Sequence, residues 1–409
     1  MKWCKQDTAW MLGLYGTAIG AGTLFLPINA GINGFMPLLF LTVLALPMTF
    51  FSHRALCRFV LSGSKHQANI IDVVDEYFGH TASRLITLLY FFSIYHIVLL
   101  YSVAITNTTF TFIKHQVGMV PPSRAIISMC LILLLMAVVR VGHHAIIKAM
   151  TILVYPFVII LLALSLYLIP HWSTAIFTIE DSFQPRSLLM SLWLGIPVLV
   201  FSFNHSPMIS SFAVKQRHDY GDRADEKSST ILKYSHLLMF VTVFFFVFSC
   251  ILSLSTADLI KAKVQNISIL SYLANHFESP FISYVAPLVA FIAISKSFLG
   301  HYIGASEGLH GLIEKSLKRR NKTISAPVLN HGIDLFMLLT CWGIATINPS
   351  ILGMIQILGG PVTAGLLFIM PMYGMRKIPA MKKYRSFISD TFISIIGLIA
   401  ISAIIYGLL

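Results

Sequence analysis

Charge is scarce in this 409-residue chain: Asp, Glu, Lys and Arg make up 11% of it, against 56% hydrophobic residues. That shortage excludes a soluble domain hiding its apolar side chains in one core and makes the chain a polytopic membrane protein, with the lipid bilayer as its first partner. Acids are scarcest, 16 against 29 lysines and arginines, for a net charge of +13. A nucleic-acid partner would need those cations gathered on one soluble face; here they fall between apolar runs, so no nucleic acid is expected. Cysteine is thin as well. Cys4, Cys57, Cys130, Cys250 and Cys341 form no CxxC pair and no external cluster, so free thiols and no metal site are expected. No cleavable leader is expected: Met1–Gln6 is short and polar, and the apolar stretch after it is long enough to span a bilayer and lacks a small-x-small exit.

What is abundant is the apolar run of about 20 residues. Eleven occur, at roughly 8–30, 34–58, 85–112, 123–140, 145–169, 187–213, 234–255, 281–307, 330–348, 350–373 and 388–408. An odd number puts the two termini on opposite sides. Twenty-three of the 29 cations fall in segments on the amino-terminal side and five on the other, with Lys296 inside a span. The positive-inside rule then places the amino terminus in the cytoplasm and the carboxyl terminus outside. Two connections, Ala68–Phe78 and Ala257–Phe277, repeat their apolar residues at helical spacing. Each is expected as a surface helix, either anchoring at the interface or coupling to moving spans. Lys215–Ser229 reads as a solvated mixed-charge loop.

Two spans are interrupted. Leu14–Pro27 (LYGTAIGAGTLFLP) carries Gly16, Gly20, Gly22 and Pro27 at mid-depth, and in the sixth span Pro197 and Pro207 bracket Ser202, Phe203, Asn204, His205 and Ser206. In lipid an unpaired backbone group costs several kcal/mol, so broken helix survives only where protein or a polar cavity surrounds it. Taken singly, the glycines could serve close helix packing and the prolines a kink. Taken together, the breaks lie five spans apart, which makes spans 1–5 and 6–10 an inverted repeat with one interrupted helix per half, the pattern that points to a transporter site. The halves are 1–170 and 187–373, followed by an eleventh helix at 388–409. Half-helix amino termini suit a carboxylate and freed carbonyls suit an ammonium, so a zwitterionic amino acid fits.

Lys296 stands near the middle of the eighth span. At ~2.5 kcal/mol or more it is too costly to face lipid and too deep to snorkel. It is either permanently paired with helix carbonyls or able to take and release a proton as the cavity opens to each side. A protonated lysine between spans 1 and 8 could also stand where other transporters hold Na+. No intramembrane acid competes for the role, since Asp7 and Glu307 fall near helix ends. His205 is the other titratable group at a break, as hydrogen-bond partner or proton carrier. Tyr95 and His96 lie near the middle of the third span, where an aromatic could meet substrate. His53, His143, His144, His301 and His310 are expected in packing or at interfaces.

Several long motifs occur in matching order. Asp7-Thr8-x-Trp10 with LGLYGTAIGAGTLFLPINAG, His53-Arg54-Ala55-Leu56, SFNHSPMISSFA, and AISKSFLGHYIG with Glu307-Gly308-Leu309 together resemble the bacterial hydroxy/aromatic amino acid permease family, in its serine/threonine branch. The resemblance covers essentially the whole chain. It implies an all-α polytopic membrane protein with the LeuT-like five-plus-five inverted repeat of the amino acid–polyamine–cation superfamily, plus an eleventh helix. It also implies the bacterial inner membrane and proton-driven uptake. Mapped onto this sequence, the interrupted helices are Gly20, Ala21, Gly22 and Thr23, and Ser202, Phe203, Asn204 and His205, with lysine at 296 as in that branch.

The resulting expectation is a proton-coupled symporter for serine or threonine. First-span amides hold the carboxylate, carbonyls of spans 1 and 6 hold the ammonium, Asn204 or a nearby serine reads the hydroxyl, and Lys296, with Ser297 beside it and His205, carries the coupling. The partners are substrate, protons and lipid; no cofactor and no obligate protein partner are expected. An aromatic or other neutral amino acid is the alternative on the same fold. A divalent-metal transporter using His205 and Met208 lacks the carboxylates hard cations need. A membrane-embedded enzyme lacks a nucleophile–base or metal constellation, and a channel does not require two broken helices in inverted halves.

Overall fold

The computed structural model describes residues 2–65, 67–140, 143–178, 184–319 and 321–406, without the side chains of 143–152, 178, 315, 318 and 319. The side chains of His143, His144, Lys148, Lys315, Lys318 and Arg319, and all of Arg320, lie outside the described residues. So do Met1, Val141 and Gly142 of the first expected repeat and 407–409 of the last helix.

The described residues are helices joined by short turns, with no strand among them. Nine helices are long and apolar enough to cross a bilayer, ten when Lys5–Ala18 and Ala21–Gly31, bent by 57°, count as one broken span. The remaining expected span, Arg124–Arg140, is a 17-residue helix, about the shortest that crosses a hydrocarbon core of ~30 Å. The broken pair is span 1. In order follow Phe35–Leu61 (span 2), the helix ending at His115 (span 3), Arg124–Arg140 (span 4) and His143–Tyr167 (span 5). Span 6 is the pair Pro185–Ser202 and Ser206–Tyr220, and Ala224–Ser253, Pro280–Arg319, Ala326–Ile347, Ile351–Lys377 and Phe387–Tyr406 are spans 7 to 11. Span 2 packs on spans 6 and 7, span 1 on span 7, and span 3 runs along span 8.

Both surface helices form. Helix Ile70–His115 turns at Gly79, whose φ of 79° only glycine adopts cheaply, and this separates the Ile70–Phe78 arm from span 3. Asn69 caps that arm, accepting from the Ile71 and Asp72 amides at 2.8 and 3.0 Å. The Ile70 amide donates to Ser210 Oγ at 3.0 Å, tying the arm to the second half of span 6. The other connection is two short helices, Thr256–Val264 and Ile269–His276. Between them Asn266, at a φ of 55°, bonds Asn348 Oδ1 at 2.9 Å and the Pro349 carbonyl at 2.8 Å.

The stretch expected as a solvated loop, Lys215–Ser229, is mostly helix. Span 6 continues to Tyr220, one turn covers Gly221–Arg223, and span 7 begins at Ala224. Its charges have buried work that sequence spacing does not display. Arg217 donates to the Val60 and Lys65 carbonyls at the end of span 2, and Arg58 forks onto Asp225 at 2.8 and 3.2 Å. Lys227 forms an ion pair with Asp7 at 2.6 Å, their side chains 2% and 1% exposed. Asp7 also accepts from the Cys4 amide at 2.7 Å and Tyr220 Oη at 3.1 Å, while Lys227 reaches the Lys2 carbonyl at 2.9 Å. The amino-terminal segment is thereby clamped onto the turn between spans 6 and 7.

Removing one member of a buried pair strands a charge, at about 3–5 kcal/mol. Asp7→Ala is therefore expected to lower the thermal midpoint of the detergent-solubilised protein sharply, and Asp7→Leu with Lys227→Met to recover most of the loss. A midpoint unchanged in Asp7→Ala would show that the clamp contributes nothing.

Candidate functional site

The first helix half stops at Ala18, Ile19 is extended (φ −76°, ψ 110°), Gly20 sits at φ −161° and ψ −147°, and helix resumes at Ala21. The break leaves carbonyls at the end of one half and N–H groups at the start of the other without helical partners. Span 8 supplies partners for two of the carbonyls. Lys296 Nζ donates to the Gly16 carbonyl at 2.5 Å, and Ser297 Oγ donates to the Ile19 carbonyl at 3.2 Å. Lys296 is 8% exposed, so its ammonium lies among protein groups and away from lipid. Pro27, expected to help break the helix, sits inside the second half. Lacking an N–H, it frees the carbonyl of Thr23 four residues back instead.

The second break is Phe203, Asn204 and His205, between Ser202 and Ser206. Asn204 Oδ1 accepts from the Ser206 amide at 3.0 Å, an Asx turn that starts the new helix. Pro207 follows in the first turn, where a missing N–H costs nothing, and Pro197 lies within the preceding helix. The two breaks touch. Thr23 Oγ1 donates to the Ser202 carbonyl at 3.3 Å, and a Cβ on Gly22 would stand 2.8 Å from Ser202 Cα. Gly22 is glycine because backbone passes backbone there.

The structure thus brings Gly20, Ala21, Gly22 and Thr23 together with Ser202, and sets Lys296 and Ser297 against the first break. His205 is turned the other way: its amide donates to His53 Nε2 at 3.2 Å and its Nδ1 faces the Phe203 carbonyl at 3.1 Å. Tyr95 is not brought to the breaks. It stacks between Phe91 and Phe336, at 5.2 and 5.6 Å, and packs span 3 on span 9. Tyr101 takes the position expected for it. A Cβ on Gly20 would collide with the Tyr101 hydroxyl and lie 2.8 Å from Ser297 Oγ, so that hydroxyl stands at the first break. Two tyrosines six residues apart in one apolar helix give no sequence signal for which faces the break.

Span 10 closes another side. Its helix widens over Ile355–Gly359 and again over Gly365–Ile369, turns of a kind that cluster at functional sites. A Cβ on Gly359 would stand 2.8 Å from His96 Nε2 and 3.0 Å from the Phe201 ring, and Gly360 lies against the Pro197 backbone. His96, its Nδ1 facing the Phe92 carbonyl at 3.0 Å, therefore belongs to the contact of span 3 with spans 6 and 10. Thr23, Ser202, Phe203, Asn204 and His205 are all buried. The first break offers N–H groups and a helix dipole to an anion, the second offers carbonyls to a cation, and one ammonium is anchored beside them.

The chain matches the tryptophan/tyrosine permease family over residues 9–402. It is 60% identical over 410 aligned positions to the serine transporter SdaC of Escherichia coli K12, covering 99% of this chain and 96% of that protein. Among solved structures it is similar to MhsT in complex with L-phenylalanine, with a TM-score of 0.62 at 14% identity over 100% of this chain and 98% of that one. It is also similar to a manganese transporter of Eremococcus coleocola, with a TM-score of 0.63 at 11% identity over 97% and 85%. At those identities the structural likeness fixes the fold, which is LeuT-like. The family match and the 60% identity to a serine transporter make this chain a membrane transporter and not an enzyme. The chain belongs to the tryptophan/tyrosine permease family of amino acid transporters, the hydroxy/aromatic amino acid permeases that its helix-break motifs resemble.

Proposed function

We propose that this protein is a proton-coupled symporter importing a small hydroxylated amino acid, serine first and threonine beside it, across the bacterial inner membrane. The identity to serine transporters supports the substrate class. The observation that carries the mechanism is the Lys296 ammonium on the Gly16 carbonyl, 2.5 Å away. In this reading the Ala21–Thr23 amides hold the substrate carboxylate and carbonyls of spans 1 and 6 hold its ammonium. Asn204 or Ser202 reads the hydroxyl, and Tyr101 joins the carboxylate end. Loss of the Lys296 proton releases the Gly16 carbonyl and lets span 1 move against span 8, while Ser297 keeps the Ile19 carbonyl engaged. His205 acts on the sixth-span side. Residues 1–170 and 187–373 form the two inverted repeats, with 388–409 as an appended helix. The amino terminus is cytoplasmic, the carboxyl terminus periplasmic, and the proton gradient takes the place of a cofactor or protein partner. The family's name favours a second reading, an aromatic amino acid in the same site, which competition by tryptophan and tyrosine against labelled serine separates from the first.

In proteoliposomes, a pH gradient alone is expected to drive labelled serine uptake. Lys296→Ala is expected to abolish that dependence while exchange of serine for serine persists. Uptake driven by Na+, or full proton coupling in Lys296→Ala, would make the lysine structural. Because the Ser202 backbone stands 2.8 Å from where the new Cβ would lie, Gly22→Ala is expected to weaken serine binding at least about tenfold, about 1.4 kcal/mol, measured by equilibrium binding in detergent. Wild-type affinity in that variant would mean that substrate is held without the contact between the breaks.

A further inference from the structure

Three fully buried histidines meet behind the sixth-span break: His53 from span 2, His205 from the break itself and His236 from span 7. Their ring centroids are 3.7 Å apart for His53 and His205, 4.8 Å for His205 and His236, and 5.2 Å for His53 and His236. Each Nδ1 faces a backbone carbonyl: Thr49 at 2.8 Å, Phe203 at 3.1 Å and Leu232 at 2.8 Å. A ring nitrogen against a carbonyl donates, so all three rings carry the proton on Nδ1 and leave Nε2 as a lone pair. His205 Nε2 and His236 Nε2 are buried with no hydrogen-bond partner. His53 Nε2 accepts the His205 amide at 3.2 Å. One ring nitrogen from each histidine lies within 4.8 Å of the others.

An imidazole whose Nδ1–H is fixed by a carbonyl keeps its Nε2 lone pair for a ligand, the arrangement that orients histidine toward a metal. We propose that His53, His205 and His236 form a binding site for one late first-row divalent cation of the Zn2+ and Co2+ class. Imidazole nitrogens suit these ions, while Mg2+ and Ca2+ ask for oxygen ligands. Three neutral ligands leave a fourth position for water or an anion, as in open zinc sites. Tetrahedral Zn–N bonds of about 2.0–2.1 Å bring ligand nitrogens closer than the present spread. The stacked His53 and His205 rings must therefore swing apart, giving up the contact from the His205 amide. A bound ion would fasten the break to spans 2 and 7. The site is separate from Lys296 and from the side of the break that meets Gly22 and Thr23, and it does not depend on which amino acid is carried.

The test uses the purified full-length chain in detergent with Co2+ as the probe. Wild type is expected to bind one Co2+ per chain with the intense visible bands of four-coordinate cobalt, displaced by Zn2+. His53→Gln and His236→Gln are each expected to bind at least about tenfold more weakly. Absence of the four-coordinate spectrum, or equal affinity in both variants, overturns the proposal and assigns any bound ion to surface groups. Where a variant does not fold, X-ray absorption of the Zn2+-loaded wild type decides. Three imidazole ligands support the site; one imidazole, or sulfur in the first shell, overturns it. Neither readout measures transport, so failure here leaves the symporter reading untouched, and failure of that reading leaves this one.

Discussion

A helix interrupted inside a bilayer exposes backbone groups that no water is there to satisfy, and the rest of this structure is arranged around meeting that demand. At the first break the demand falls on carbonyls, and span 8 answers it with adjacent residues: Lys296 for Gly16 and Ser297 for Ile19. At the second, Asn204 answers with its own side chain to the Ser206 amide, and Thr23 reaches across to the Ser202 carbonyl. The glycines are the counterpart of these bonds. Gly20 makes room for the Tyr101 hydroxyl and Gly22 for the Ser202 backbone, so the partners stand close enough to act. The breaks are held in one geometry by side chains from three other spans.

The amino-terminal side is organised by the same economy of charge. With so few ionisable residues in the chain, several are paired: buried Asp7 with Lys227, half-buried Arg58 with Asp225, and Arg217 with carbonyls at the end of span 2. The first two join the start of span 7 to spans 1 and 2, and the third joins span 6 to span 2. The two interrupted helices meet in mid-bundle through the breaks and again near one end through the Tyr220 hydroxyl on Asp7. Spans 1, 2, 6 and 7 are cross-linked as a unit, whereas span 8 meets span 1 through Lys296 and Ser297. Those two polar bonds join the cross-linked helices to the helix that runs beside span 3.

The architecture was legible because it depends on quantities a sequence displays. Apolar run length located the spans, glycine and proline with Ser202–Ser206 located the breaks, and Lys296 was conspicuous as an isolated cation in an apolar segment. Two kinds of error share a cause. Lys215–Ser229 looked like a solvated loop because its composition is polar, yet Arg217 and Lys227 are buried by partners 152 to 225 residues distant in the chain. Tyr95 was singled out and Tyr101 passed over, and His53 was taken for a packing residue, because the face a residue presents in a uniformly apolar helix is decided by its neighbours. The sequence offers no periodicity there to read. Proline misled in a smaller way, since Pro27 and Pro197 lie within helices and the breaks are made by Ile19–Gly20 and Phe203–His205.

In the reading proposed above, the protein's own groups stand where a substrate would bind: the Tyr101 hydroxyl fills the space over Gly20, and the Ser202 carbonyl is taken by Thr23. An arriving amino acid would have to displace them, and an exchange of like for like yields little net free energy. A carboxylate, however, bonds amides about twice as strongly as a neutral hydroxyl does, and it also meets the positive end of the Ala21–Gly31 half-helix. On that proposal the ionised end of the substrate takes the amides in preference to a neutral analogue, and discrimination for a zwitterion precedes any reading of its side chain.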